Sequence, residues 1–196
     1  MADSTLRVVI LSGSLRRDSY NASLVRFVGS YMADAGGVEI DEVSLRALNL
    51  PLFCEDEVSG GMPSPVLAFK ERLIAADAVL VASPEYNGSL TGALKNAIDW
   101  ASSPAEGEKP LACFKGKVCG LLSASPGAMG GVTGLGHLRQ ILTRLQMIVV
   151  PTEYALGVAH KAFDEKGNLR DERAATMAKG VGLAVLEMAN TIKNAG

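Results

Sequence analysis

Hydrophobic positions along the chain fall into short continuous runs separated by stretches with helical spacing. The first run, Val8-Val9-Ile10-Leu11, stops at Ser12-Gly13-Ser14, and a polar turn leads to Leu24, Val25, Phe27 and Val28 at helical intervals. Leu6 to Val28 therefore reads as strand, loop, helix. Gly36-Gly37 ends that helix, and Val38-Glu39-Ile40-Asp41-Glu42-Val43 alternates apolar and acidic residues as a partly exposed edge strand does. Leu48 to Gly61, with Pro51, Cys54, several acids and Gly60-Gly61, has no sustained period and reads as a loop.

Pro65 opens a predicted helix with Val66, Leu67, Phe69, Leu73 and Ile74 on one face, followed by the buried run Ala78 to Ala82. That run breaks at Ser83-Pro84-Glu85-Tyr86-Asn87-Gly88. Helical spacing resumes from Ala93 to Trp100, and the Pro- and Lys-containing segment Ser102 to Lys117 reads as surface. The next run, Val118 to Leu122, enters the glycine-rich stretch Ser123 to Gly136. Leu138, Ile141, Leu142 and Leu145 then mark a helix, and a strand from Met147 to Val150 is expected to end at Pro151. Asp164 to Asn168 has turn chemistry, and Met177, Val181, Ala184, Val185, Met188 and Ile192 form the expected stripe of a closing helix. Alternating helices and nearly continuous hydrophobic strands predict a parallel sheet covered on both faces, with ligands at the carboxyl ends of its strands.

Composition narrows this picture. At 196 residues, 48% of them hydrophobic, the chain is long enough for one core, and a single domain over 1–196 is expected. A net charge of -2 gives no electrostatic footprint for nucleic acid or for an anionic membrane. No segment has the form of a leader peptide or of a bilayer span, so a cytoplasmic location is expected. Cys54, Cys113 and Cys119 leave one thiol over in any disulfide scheme and lack cluster spacing, and His137 and His160 are too few for a histidine-rich metal site. No metal is expected.

The three irregular loops all follow strands, so in a parallel sheet they meet at one edge. In the first, Ser14, Ser19 and Asn21 can donate hydrogen bonds and Arg16 can make a charge-assisted contact just before the free N–H groups of a helix. That chemistry suits a terminal phosphate, and it equally describes a serine-rich helix cap. Neither GxxxxGK[ST] nor GxGxxG occurs.

GSLRRDSYN, SPEYNGSLTGALKNAIDW and SASPGAMGG, in this order and at these strand ends, resemble the NADPH-dependent FMN reductase family, nearest its bacterial soluble quinone or chromate reductase type. The resemblance runs from Val8 to about Pro151. It implies a flavodoxin-like α/β three-layer sandwich, a five-stranded parallel sheet in the order 2-1-3-4-5 with helices on both faces, and bound FMN. It implies Ser14, Arg16, Ser19 and Asn21 around the FMN phosphate, Pro84, Glu85, Tyr86 and Asn87 against the ring, and Ser123, Ser125 and Gly127 closing the other side. NADPH or NADH would deliver hydride through FMN to a small-molecule acceptor, whether a quinone, free flavin, an azo dye or chromate, in a homodimer or homotetramer. No side-chain acid or base is expected to be catalytic, because the cofactor carries the hydride chemistry.

Lys95, Asn96, Asp99 and Trp100 are read as helix packing and loop support, with Trp100 also a candidate for a subunit contact. Relatives often carry Arg shortly after the Asp-Trp pair, where this chain reads Ala101-Ser102-Ser103; Lys109, Lys115 and Lys117 are candidate replacements. Two rival functions stand beside the reductase: an electron carrier without NAD(P)H turnover, and a flavin-free anion-binding α/β module.

Overall fold

The period-two alternation within each hydrophobic run assigns its residues to two cores, one on either side of a sheet. In β1 (Leu6–Ser12), Leu6, Val8 and Ile10 face one core while Val9 and Leu11 face the other. The computed structural model describes residues 5–59 and 61–195, so Gly60 of the expected Gly-Gly pair lies outside the described residues. The remaining strands are β2 (Val38–Ser44), β3 (Ala78–Ala82), β4 (Val118–Ala124) and β5 (Ile148–Leu156). All pair in parallel in the order β2-β1-β3-β4-β5, the expected flavodoxin-like arrangement.

Helix α1 (Tyr20–Asp34) and the last helix, Glu172–Ala195, cover one face through Leu24, Val28, Met32, Val181 and Val185. The helices Ser64–Ala75, Gly92–Ser102 and Val132–Arg144 cover the other through Phe69, Leu73, Leu94, Leu135 and Leu138. Each such fully buried side chain contributes about 1.5–3 kcal/mol, so tertiary burial holds these layers more than helix propensity does. The chain moves from β1 out to β2 and then crosses to β3 on the far side of β1. That reversal opens a crevice at the carboxyl ends of β1 and β3.

Four expectations are corrected. The region read as a loop contains two short helices, α2 (Leu45–Leu48), capped by Ser44 Oγ, and α3 (Glu55–Ser59), whose first turn carries Glu55, Asp56 and Glu57. Acids there complement the helix dipole, and elements this short carry no readable period. The three longer helices on this face are then α4 (Ser64–Ala75), α5 (Gly92–Ser102) and α6 (Val132–Arg144), and the closing helix is α7 (Glu172–Ala195).

Strand β5 also does not end at Pro151. It continues to Leu156 through a bulge in which Val149 to Glu153 spans four positions where Cys119 to Leu121 spans two. Proline, which has no N–H to donate, is tolerated at such a bulge on an edge strand. The bulge carbonyls of Val149 and Val150 accept from Arg139 of α6, whose guanidinium also pairs with Glu153. Third, Ser102 to Lys117 is not all surface, since Cys113 and Phe114 are buried in the second core. Finally, α7 packs through Ala178, Val181, Gly182, Val185 and Ala189, leaving Met177, Met188 and Ile192 outside.

Candidate functional site

The first loop is folded largely by its own hydroxyls. Ser14 N–H donates to Ser12 Oγ at 3.2 Å and Arg16 N–H to Ser14 Oγ at 3.3 Å. Ser19 is buried and caps α1, its Oγ accepting from Ala22 N–H at 3.2 Å. The first turn of α1 holds no acidic residue, and its positive end lies beside the exposed Arg16 and Asp18. Arg16 lies 5.8 Å from the Tyr20 ring centroid.

Asn21 sits elsewhere than expected. Its buried amide donates to Ala124 C=O at 2.8 Å and accepts from Ala124 N–H at 2.9 Å, so the side chain is occupied in tying α1 to the end of β4. It aims the helix and does not itself reach into the loop.

The second loop contains a tight hairpin. Tyr86 N–H donates to Ser89 C=O at 2.9 Å and Ser89 N–H to Tyr86 C=O at 3.1 Å, with Asn87 and Gly88 at φ 53° and 77°. These are the dihedrals of a type I′ turn, for which Asn-Gly is the preferred pair. The turn displays Tyr86, 52% exposed, and Asn87. Thr91, which the sequence reading did not single out, joins the first two loops. Its buried Oγ donates to Gly13 C=O at 2.6 Å and accepts from Leu94 N–H as the cap of α5. A Thr-Gly pair ahead of a helical run is the cap signature that would have flagged it. Glu85 is half-buried, and its Oε2 accepts from Gly134 N–H in α6 at 2.9 Å.

The third loop runs from Ser125 to Gly131 and is fastened to the end of β5. Ser125 N–H donates to Leu156 C=O, Val158 N–H to Gly127 C=O and Ala159 N–H to Ser125 C=O. Ser125 Oγ accepts from Gly127 N–H at 3.2 Å. Gly131 has φ 89°, and a Cβ there would lie 2.3 Å from Ser123 Oγ. Ser123 is wholly buried under that glycine, and its Oγ has no hydrogen-bond partner among the described residues. It supports the loop from beneath and does not line its mouth.

Eight of the expected residues thus meet at the carboxyl edge of the sheet with some part exposed: Ser14, Arg16, Pro84, Glu85, Tyr86, Asn87, Ser125 and Gly127. Ser19, Asn21 and Ser123 are buried behind them. A cleft of about 550 Å³ adjoins the first loop, between Leu15, Arg46 of α2, Leu52 and the start of α5 at Gly92 and Ala93; Arg46 donates to Leu15 C=O at 2.8 Å.

The reading of α5 as support holds. Asn96 bridges Pro51 C=O and Phe53 N–H, and Lys95 pairs with Asp99 on the helix surface. Trp100 is completely buried, donates from Nε1 to Pro51 C=O at 2.8 Å and packs edge-on against Phe53, so it is not on an exterior face where a subunit would meet it. At the helix end, buried Lys70 donates to Ala101 and Ser103 carbonyls and pairs with Glu108 at 2.9 Å.

Lys117 is no replacement for the missing arginine. Its Nζ binds the Ile74 and Ala76 carbonyls at the opposite edge of the sheet, where burial lowers its pKa. Burial pushes the Cys113 thiol up to about 11 and that of Cys119 to about 12, so neither supplies a thiolate near neutral pH. Among the described residues no His, Cys, Asp and Glu cluster could hold a metal, and no helix is long and apolar enough to cross a membrane.

A family model described as NADPH-dependent FMN reductase matches residues 6–161. The chain is 39% identical over 170 residues to an NAD(P)H-dependent FMN reductase of Pseudomonas aeruginosa, covering 86% of this chain and 87% of that protein. It is 37% identical over 197 residues to an NAD(P)H:quinone oxidoreductase of Solanum tuberosum, covering 98% and 97%. Among solved structures, it superposes with a TM-score of 0.82 on a flavoenzyme NAD(P)H:(acceptor) oxidoreductase from Paracoccus denitrificans, at 30% identity over 95% of this chain and 98% of that one.

Proposed function

We propose, for a chain that belongs to the NADPH-dependent FMN reductase family, that the three strand-end loops form its flavin site and that quinones are its preferred acceptors. The protein is an oxidoreductase that works with FMN, NAD(P)H and a small-molecule electron acceptor. Its residues fit the phosphate of that cofactor: the α1 N-terminus offers N–H groups and no acid within its first turn, Ser14 a hydroxyl, and Arg16 an exposed guanidinium. When bound, FMN supplies the hydride transfer between donor and acceptor.

The residues of this chain bind and orient. Ser14 and Arg16 hold the phosphate, while Ser19 and Asn21 fix the helix that presents it. Pro84, Tyr86 and Asn87 form a platform for the ring. The Tyr86 and Ser89 N–H groups are used in closing the turn, which leaves those of Glu85, Asn87 and Gly88 as donors for a ring carbonyl. Ser125 and Gly127 bound the site from the third loop. Free flavin, azo dyes and chromate follow quinones in the expected order of preference.

The observation that carries this reading is the apolar rim around that edge: Leu15, Tyr86 and Met129 are 48%, 52% and 73% exposed, one from each loop. A planar, largely apolar acceptor buries such surface, and an oxyanion does not. Ser103 adds no exposed cation beside the site, because the Lys70 that binds its carbonyl is buried and paired with Glu108. The same exposed surface supports assembly as a homodimer or homotetramer, and a cytoplasmic location and a single domain over the whole chain remain part of the proposal. The test is NADH and NADPH oxidation with added FMN across benzoquinones, free flavin, an azo dye and chromate. Quinone turnover at least about tenfold above chromate is expected, a difference of about 1.4 kcal/mol in barrier; equal or faster chromate turnover would overturn the acceptor preference.

A further inference from the structure

Helix α6 begins without a cap of its own. Its N-cap residue is Gly131, and no side chain from that position bonds its first turn. Serine, threonine, aspartate or asparagine would ordinarily stand there. Here none can, because any Cβ at residue 131 would collide with Ser123 Oγ at 2.3 Å and the backbone is left-handed at φ 89°. The missing acceptor arrives from 49 residues earlier in the chain. Glu85 Oε2 takes the Gly134 N–H at 2.9 Å, the bond that a local cap would make, and places a carboxylate at the positive end of the helix dipole. Cβ atoms built at Gly131 and Gly134 would lie 3.3 and 3.4 Å from Glu85 Cβ, so the two glycines form the seat for this side chain.

A second contact lies one helical turn further on. His137 Nδ1 and Ser89 Oγ hydrogen-bond at 3.1 Å. Residues 85 and 89 are the two flanks of the Tyr86-Asn87-Gly88 hairpin, and residues 134 and 137 share one face of α6. Both feet of the hairpin are therefore pinned to the same helix, and the first turn of that helix is also the exit of the third loop.

We propose that Glu85 is a positioning residue: its carboxylate caps α6 in place of a local side chain and so fixes the second and third loops as one unit against the flavin. The Glu85 carboxylate is spent on the Gly134 N–H and contacts neither the ring nor the acceptor; only the backbone N–H of this residue faces the ring. This inference rests on the flavin reading of the site for its consequence but not for the clamp itself, which exists without ligand.

The experiment compares the full-length parent with Glu85→Gln and Glu85→Ala, reading amide hydrogen exchange at Gly134 without ligand, FMN affinity by fluorescence quenching, and the visible spectrum and reduction potential of bound FMN. The Gln variant keeps a carbonyl oxygen for the Gly134 N–H, so it should leave Gly134 protected and FMN affinity within about threefold of the parent. The Ala variant should expose the Gly134 amide to exchange, weaken FMN binding by about tenfold, and shift the bound-flavin spectrum even at saturation.

An Ala variant that lowers the melting temperature but leaves spectrum, potential and affinity untouched would reduce Glu85 to a structural cap and overturn the proposal. So would a Gln variant that loses FMN as fully as Ala while Gly134 stays protected, because the charge would then be acting on the ligand directly. A parent chain that binds no FMN overturns the flavin reading instead, and the Gly134 amide still reports on the clamp.

Discussion

Between Ser12 and Ser19 the turn itself is folded by bonds that reach two residues along the chain, from Ser14 N–H to Ser12 Oγ and from Arg16 N–H to Ser14 Oγ, and only its carbonyls at Gly13 and Leu15 are held from afar, by Thr91 and Arg46. The second loop is held by Glu85 and Thr91, whose bonds reach across 49 and 78 residues. Both loops end strands at the same sheet edge and belong to the same proposed site, yet they answer to different parts of the molecule. A side chain of that turn that makes no distant bond, as Arg16 does not, can be altered without loosening the fold, so changes there should appear in ligand affinity alone. A turn fastened to distant helices shares its fate with them, and changes there should appear in stability as well.

The most severe break in this contrast is Gly131→Ala. A Cβ at 2.3 Å from Ser123 Oγ on a backbone at φ 89° forces α6 and the third loop apart. A loss of about 2–4 kcal/mol in urea unfolding is expected, together with loss of FMN binding. Thr91→Val is next. It removes both the bond to Gly13 C=O and the cap of α5, for about 2 kcal/mol of stability by the same measurement, and FMN affinity falls because the first loop loses its anchor.

Arg16→Ala should do the reverse. FMN binding weakens by about tenfold, unfolding changes by less than about 0.5 kcal/mol, and turnover at saturating FMN stays near the parent value. Unchanged affinity would remove Arg16 from the site, and a large loss of stability would end the distinction between the two loops.

The smallest effect at neutral pH comes from outside the loops. Cys113 and Cys119 have folded pKa values raised to about 11 and about 12 from 9.0, so the unfolded chain loses these protons first as pH rises. Their contribution is complete below about pH 9 and declines as pH climbs towards 11 and beyond. Thermal melts across that range should show the decline, and a thiol reagent at pH 8 should label Cys54, which is exposed, while sparing the other two in the native protein.

The same division between near and far decided what could be read from the sequence. Strand runs, the exposed edge at β2 and the convergence of three loops were legible because hydrophobic period and the loop-after-strand rule of parallel sheets are local or topological matters, whereas the sheet order came from the resemblance of the three loop motifs to a known family. The exposed placement of Arg16 and the turn built on Ser14 were legible for the same reason, since a cap-like turn before a helix announces its geometry. Asn21 and Ser123 were assigned to the ligand because polarity at a strand end suggests a binding role. The structure instead turns Asn21 onto Ala124 and buries Ser123 beneath Gly131, partners 103 and 8 positions away that no periodicity reveals. Thr91 and Glu85 illustrate the point from the other side, for their roles exist only once β1, β3 and α6 are side by side. Pro151 misled because proline stops a regular ladder, and the bulge that accommodates it depends on Arg139 arriving from α6.

That bulge has a consequence for how this fold tolerates change in length. The excess of β5 over β4 is two residues, four positions against two, and an even excess leaves the inward and outward sides of the strand as they were. Val150, Tyr154 and Leu156 accordingly face one core on both sides of the irregularity, while Val149 and Ala155 face the other. Deleting a single residue between Val150 and Glu153 would turn every side chain beyond it inside out and place Ala155 on the wrong face beneath the third loop. Deleting two would restore an ordinary ladder, matched residue for residue to β4 over the same span. Length at this edge of the molecule therefore changes in pairs.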